Sequence, residues 1–295
     1  MSVILQPIKT PLRYPGGKSK AIKTIGQHFP EYKEFREPFI GGGSVFLHLK
    51  QTNPDAKYWI NDKYHKLYCF WKELRDNGDN LQAELLRLKN DADKLDGSVE
   101  SNKERENHKA LYQKFRNGTF NSDFDIAVAF FVMNKCSFSG LTEQGSFSKQ
   151  ASYRNFTKMN IGKLSKVSSL LKDVQITNED FGASMQKGGE GVFLYLDPPY
   201  DILKGKSKTG SLYGKDGDMH KGFDHEAFAK ECEGTKHKFL ITYNDSEELR
   251  KRFEEFTVVT WNVKYGMNIK KVDEDGNPIT NKKFTDKTEL LIKNY

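Results

Sequence analysis

The stretch "VFLYLDPPYD", residues 192–201, decides how the fold is read. Val192 to Leu196 are β-branched, aromatic or aliphatic throughout, and Gly188, Gly189 and Gly191 precede them. An unbroken apolar run of this length, with a breaker on its entry side, describes a strand buried on both faces, as in parallel sheets. Pro198 and Pro199 have no N–H to give to a ladder, so the strand ends at or before Asp197. The forced stop leaves a carboxylate at the C-terminal edge of a buried sheet, where open α/β sheets bind their ligands. A plain strand-to-loop turn would use the same residues, and the flanking sequence has to separate the two readings.

Working outward, further strands read at "EFREPF", "AKYWIND" (56–62), "VQITNED" (174–180), "KFLITYN", "TVVTWNVK" (257–264) and "TELLIKN" (288–294). Helical patterns such as "DHEAFAKECEG" (224–234) and "SEELRKRFEEF" (246–256) fall between some of them. Strand–helix alternation predicts a doubly wound, mostly parallel sheet. Only a polar loop separates the last two strands, which predicts an antiparallel pair at one edge. From about Tyr64 to Asp173 the pattern is instead helical: Leu81, Leu85, Leu88, Ala92 and Leu95 line one helix face, and "KERENHKALYQKFRN", "SDFDIAVAFFVMNK" and "NIGKLSKVSSLLKD" read as three more helices. "CSFSGLTEQGSFSKQASYRNF" between the last two could hold a hairpin turning near Gln144-Gly145. The expected architecture is therefore an α/β domain, 1–63 with 174–295, interrupted by a helical insertion, 64–173.

Composition narrows the function classes. The 295 residues carry a net charge of +7, a modest bias toward a polyanionic partner. Five lysines against two aspartates sit in "KGKSKTGSLYGKDGDMHK" (204–221), directly after the DPPY stretch, among them Lys204, Lys206 and Lys208. The longest apolar run, "IAVAFFVM", is too short for a membrane span, and the N-terminus lacks the pattern of a secretory signal. Three widely spaced cysteines fit a reducing cytoplasm, and seven histidines without HxxxH or HExxH spacing predict no bound catalytic metal.

Three loops fall near the expected sheet edge. "LRYPGGKSK" (12–20) ends like a phosphate loop, but Leu12 stands where that motif needs its first glycine. "EPFIGGGSVF" (37–46) joins a strand to a helix through Gly41 to Gly43, with Ser44 able to cap the helix; its amides suit an anion such as a carboxylate. Asp62 ends the next strand, where a doubly wound fold puts an acid on ribose hydroxyls. Asp180 and Phe181 end another strand and could read an adenine by hydrogen bond and stacking. Together these describe a pocket for an adenosine-containing cofactor with a carboxylate at its other end, for which S-adenosyl-L-methionine is a better match than NAD.

"RYPGGK", "EPFIGGGSVF", "NDKYHKLY", "NKCSFSG", "LDPPYD" and "KTELLI" occur in this order. In this the chain resembles the Dam-type, alpha-order DNA adenine-N6 methyltransferases from about Pro11 to its end. The resemblance implies a Rossmann-like methyltransferase sheet, transfer of a methyl group from S-adenosyl-L-methionine to adenine N6 in double-stranded DNA, and flipping of the base. It carries cofactor contacts onto Tyr14, Lys18, Asp62 and Asp197, with Phe39, Gly41, Gly43, Asp180 and Phe181 as additional ones. The catalytic tetrapeptide is Asp197, Pro198, Pro199 and Tyr200: the Asp197 carboxylate and Pro198 carbonyl would accept the two amine hydrogens, and Tyr200 would stack on the purine. The helical insertion corresponds to the target-recognition region. Arg13, Asn134, Lys135, Ser137, Phe138, Ser139 and Glu143 are candidate DNA contacts, beside the three lysines above; helix ending and turn formation are the structural alternatives for the polar ones. Family members follow "NGL" with basic residues, whereas Glu143 stands at such a position here, so GATC recognition is not carried over. A cognate restriction endonuclease, a monomer or weak dimer, and a DNA-associated cytoplasmic location complete the expectation. An RNA base methyltransferase and an inactive DNA-binding relative are the competing readings.

Overall fold

The protein is seen in a computed structural model that describes residues 7–96, 105–200, 222–264 and 286–295. The lysine-rich stretch 204–221, with Lys204, Lys206 and Lys208, lies outside the described residues. Strands β1 (Glu34–Glu37), β2 (Lys57–Asn61), β3 (Gln175–Thr177), β4 (Val192–Leu196), β5 (Lys238–Asn244), β6 (Thr257–Lys264) and β7 (Asp286–Lys293) form one sheet in the order β3-β2-β1-β4-β5-β7-β6. The β3-β2, β2-β1, β1-β4 and β4-β5 pairs are parallel. β7 runs antiparallel to both neighbours, inserted between β5 and β6.

β4 shows why its sequence is unbroken. Phe193 and Tyr195 point into one apolar cluster with Phe35, Leu240 and Leu291, while Val192, Leu194 and Leu196 point into a second with Phe228, Phe239 and Ile241. Both faces are covered, so alternation would have buried polar groups without partners. β1 leads to β2 on one side and β4 leads to β5 on the other. Their C-terminal ends therefore flank a crevice at the point where the winding reverses.

Between β2 and β3 stand α3 (His65–Asp76), α4 (Gly78–Asp96), α5 (Glu106–Asn117), α6 (Asp123–Cys136), α7 (Lys149–Asn155), α8 (Lys158–Gly162) and α9 (Leu164–Leu171). The earlier helices α1 (Ile22–Ile25) and α2 (Ser44–Thr52) flank β1, and α10 (Phe181–Gln186), α11 (His225–Gly234) and α12 (Glu247–Arg252) follow β3, the 204–221 stretch and β5. α6 is buried without interruption from Ala127 to Cys136, as its all-round apolar sequence predicts. Phe70, Trp71, Phe130 and Phe131 of the insertion belong to the same apolar cluster as Phe35 and Phe193 of the sheet. Among the described residues no helix is long and apolar enough to cross a membrane.

The expected hairpin is reduced to one antiparallel bridge, Ser137 to Phe147. Its interior is spent on tight turns, Phe138–Gly140 and Thr142–Gln144, with Ser139 and Thr142 at φ of 52° and 49°. The Thr142 amide donates to Ser137 Oγ at 3.1 Å, and those of Leu141, Gln144 and Gly145 to carbonyls within the loop, so cross-strand bonding is confined to the Phe138 amide on the Ser146 carbonyl and the Ser148 amide on the Cys136 carbonyl, each at 2.9 Å.

Three candidate DNA contacts turn inward. Asn134 is fully buried: its Oδ1 accepts the Arg13 amide at 3.0 Å, and its Nδ2 donates to the Arg13 carbonyl at 2.7 Å and to the Gly140 carbonyl at 3.2 Å. Lys135 is buried with its ammonium on the Pro11 carbonyl, and burial pushes that group down to about 7. Ser137 is buried, and its carbonyl accepts Arg13 Nη1 at 2.9 Å. These residues satisfy the backbone of an irregular segment that has no strand to bond with, and they do not reach a surface that a duplex could touch.

Asn134→Ala should therefore lower stability by about 1–3 kcal/mol, the cost of orphaned buried backbone groups. Urea denaturation measures it. Unchanged stability with selectively weakened DNA binding would return Asn134 to the interface.

Candidate active site

β4 ends at Leu196, and Asp197 stands at its mouth. Lys18 Nζ lies 2.7 Å from each Asp197 carboxylate oxygen, and the Lys18 side chain is almost wholly buried. The same ammonium donates to the Gly16 carbonyl at 3.0 Å and sits 5.2 Å from the centre of the Tyr200 ring. Thr242, on the neighbouring strand β5, donates its hydroxyl to Asp197 Oδ1 at 2.7 Å. Tyr195 lies 3.1 Å behind Thr242. Pro198 is buried, and Pro199 and Tyr200 are half-buried.

Glu37, the last residue of β1, is also buried and accepts the Phe46 amide at 3.0 Å. Burial first, and then the nearby Asp197 charge, hold its carboxyl well above the usual range. Two neighbouring carboxyls resist ionising together, which favours the neutral form of Glu37 beside the Lys18–Asp197 pair.

The glycine turn after β1 is wedged between two rings. A Cβ on Gly41 would lie 2.8 Å from the Tyr14 ring, one on Gly42 2.8 Å from Tyr14 Cβ, and one on Gly43 2.8 Å from the Trp71 ring. Gly41 and Gly43 also sit at φ of 46° and 66°, where side chains are strained. Trp71 Nε1 donates to the Gly41 carbonyl at 3.1 Å. Asp62, just beyond β2, accepts the amides of Gly41 at 3.1 Å and Tyr64 at 2.9 Å. Burial pushes the Asp62 carboxyl up to about 6. Ser44 does not cap α2: it is the first helical residue, and its hydroxyl accepts the Lys18 amide at 3.2 Å. Tyr14, Gly41 and Asp62 are thus joined by direct contacts, Lys18 and Asp197 by their ion pair, and Ser44, next to Gly43, links Lys18 to the start of α2.

Phe39 and Phe181 pack with ring centres 5.6 Å apart, and both contact Phe223 and Phe228. Exposed Asp180 caps α10 at the Gly182 amide, 3.3 Å, and pairs with Lys63 at 2.8 Å. Among the DNA candidates, Phe138 is 62% exposed and Ser139 is exposed beside it. Glu143 instead accepts from Tyr64 at 2.7 Å and pairs with Lys66, which ties the loop to the start of α3. The fold also gathers His65, Cys69 and Asp123, ligand types that no spacing in the sequence flags. Lys72 lies 2.6 Å from Asp123 and supplies the positive charge there. The sequence does not single out Thr242, Tyr195 and Glu37, because each sits inside a strand pattern that explains it as core.

A model of the D12 class N6 adenine-specific DNA methyltransferases matches residues 14–267. The type II methyltransferase M.MjaIII of Methanocaldococcus jannaschii is 29% identical over 220 residues, covering 70% of this chain and 72% of that protein. The type II methyltransferase M1.LlaDCHI of Lactococcus lactis subsp. cremoris is 28% identical over 240 residues, 76% of each chain. A DNA adenine methylase of Vibrio cholerae is 27% identical over 285 residues, 89% of this chain and 93% of that one.

The packed turn generates a prediction of its own. Gly42→Ala drives a methyl group against Tyr14 Cβ and should cost about 1–3 kcal/mol, the usual penalty of overpacking. A denaturant midpoint equal to that of the unmodified protein would show that the segment carrying Tyr14 yields freely.

Proposed function

We propose that this chain, which belongs to the D12 class N6 adenine-specific DNA methyltransferase family, transfers the methyl group in the crevice between β1 and β4, with Asp197 receiving the target amine. The observation that carries this reading is a carboxylate held by a buried ammonium at the mouth of β4, where the winding reverses.

The residues fit S-adenosyl-L-methionine as donor. Asp62 keeps a lone pair on each oxygen beyond its two backbone bonds, suited to ribose hydroxyls. Phe39 and Phe181 offer an apolar face beside the Asp180 carboxylate, suited to an adenine. The bound donor would supply a methyl group on a sulfonium, a good electrophile.

The protein's own work is on the amine. The exocyclic nitrogen of adenine is nearly planar, its lone pair delocalised into the ring. The Asp197 carboxylate and the Pro198 carbonyl each accept one of its hydrogens and draw it toward a tetrahedral shape with a free lone pair. Pro198 and Pro199 add no N–H that could compete for those acceptors. Lys18 gives up one Asp197 oxygen as the amine arrives and remains beside the charge. Tyr200 stacks on the purine. The nitrogen, its lone pair freed, would then be the nucleophile for the donor's methyl group, and it would afterwards shed one proton to water.

A base inside a duplex cannot enter this crevice, so the target adenine is flipped out. The helical insertion, 64–173, is the proposed recognition unit. Phe138 and Ser139 are its exposed contacts, with Arg13 held beneath them. Lys204, Lys206 and Lys208 are proposed phosphate contacts. The type II names of two relatives support a partner restriction endonuclease.

Asp197→Ala should lower the methylation rate on the order of a hundred- to a thousand-fold while the protein stays folded. Turnover of tritiated S-adenosyl-L-methionine on long unmethylated DNA measures it, and near-normal rates would end the proposed role.

A second expectation concerns pH. Asp62 holds a proton up to about pH 6 in the free protein. Ribose hydroxyls need the carboxylate as acceptor, so that proton must leave on binding. Affinity for S-adenosyl-L-methionine should then rise with pH up to about 6 and level off above it, with proton release on binding below that point. Asp62→Asn should bind more weakly and lose this dependence. Calorimetry in buffers of different ionisation enthalpy tests both, and an identical pH profile in the variant would remove Asp62 from the cofactor site.

A further inference from the structure

We infer that Thr242, held by Tyr195, is a positioning residue that turns the Asp197 carboxylate so that one oxygen, Oδ2, is offered to the target amine. The inference rests on the acceptor role proposed for Asp197.

The two carboxylate oxygens are not equivalent. Oδ1 receives both Lys18 and Thr242, each at 2.7 Å, whereas Oδ2 receives Lys18 at 2.7 Å. Lys18 alone could not orient the group. An ammonium is a compact charge with rotatable donors on a flexible stem, and it would follow the carboxylate through any rotation. The terminal torsion of an aspartate is itself broad and roughly two-fold. Thr242 supplies the fixed reference: it is fully buried within β5, a strand hydrogen-bonded on both sides, and its branched side chain is stiff.

The direction of the bonds follows by elimination. A threonine hydroxyl has one hydrogen, and Asp197 Oδ1, with none to give, takes it. The Tyr195 hydroxyl must then donate to Thr242 across their 3.1 Å contact. Tyr195 is fully buried, and burial together with the Asp197 charge keeps its proton firmly in place. The chain Tyr195 to Thr242 to Asp197 therefore points its hydrogens one way, toward the carboxylate, and each bond polarises the next. When Lys18 yields to the incoming amine, Oδ1 stays engaged by Thr242, and Oδ2 is the oxygen with capacity to spare. Misplacing a reacting group by about 1 Å costs on the order of a hundred-fold in rate, so the effect belongs in kcat.

The test uses the full chain, tritiated S-adenosyl-L-methionine and long unmethylated DNA, with Thr242→Val, Thr242→Ser and Tyr195→Phe compared with the unmodified enzyme. Thr242→Val keeps the shape and removes the donor. Its kcat should fall about ten- to a hundred-fold, with KM for both substrates and the cofactor dissociation constant changed by no more than about two-fold. Thr242→Ser, which restores the hydroxyl, should recover most of the rate. Tyr195→Phe should show a smaller loss in kcat in the same direction. The inference is overturned if Thr242→Val turns over normally, if the serine variant is as slow as the valine one, or if the loss falls on cofactor affinity. Asp197→Ala, run beside them, separates the two levels. Its survival would remove the acceptor role itself, whereas a dead Asp197→Ala with a normal Thr242→Val would remove only the role of Thr242. Melting curves of all three variants are taken, and if Thr242→Val alone melts early, the kcat of Tyr195→Phe decides, a normal value overturning the inference.

Discussion

The ion pair between Lys18 and Asp197 is the contact on which the rest of the arrangement turns. It is nearly dry on the lysine side, and a charge removed from water there is tolerated only when its partner is in place. That partner comes from a different part of the chain, 179 residues away. The segment bearing Lys18 must therefore be held accurately, and much of the surrounding structure does this. Asn134 and Lys135 grip its backbone at Pro11 and Arg13, Tyr14 is seated on the glycine turn, and Ser44 takes the Lys18 amide. None of these residues needs to touch a substrate for its loss to be felt at Asp197.

Buried acids around the pair follow the same electrostatic logic. Glu37 and Asp62 both lie close to the crevice, and both are pushed toward their neutral forms by burial. Crowded carboxyls repel one another less when two of them are held toward the neutral form and the third is paired with an ammonium. On the proposed reading, ribose hydroxyls would draw Asp62 toward its ionised form, which would make its charge conditional on occupancy.

Much of this could be read from the sequence where the backbone imposed a hard constraint. Two prolines after an apolar run fix the end of β4, and three glycines after β1 mark a turn that side chains cannot enter. The misses share a different cause. "KFLITYN" reads as a buried strand, and nothing within it says that Thr242 faces a carboxylate rather than a neighbouring side chain. Asn134 and Lys135 look like the polar end of a helix, because the backbone they satisfy is 121 and 124 residues distant. The bridge at Ser137 and Phe147 replaces a hairpin because local turns absorb the amides, a competition that composition does not express.

The continuity of the apolar cluster from Phe193 in the sheet to Phe130 and Phe131 in α6 bears on how such an enzyme can change over time. The helices between β2 and β3 do not close off their interior, because it runs on into one face of the sheet. Exchanging the whole segment for that of a relative would leave two surfaces that were never shaped for each other. Innovation is therefore confined to what stands clear of that shared interior, such as the rim around Phe138 and Ser139, where a residue can be replaced without rebuilding what lies beneath. The architecture favours drift by single substitutions over the shuffling of ready-made parts.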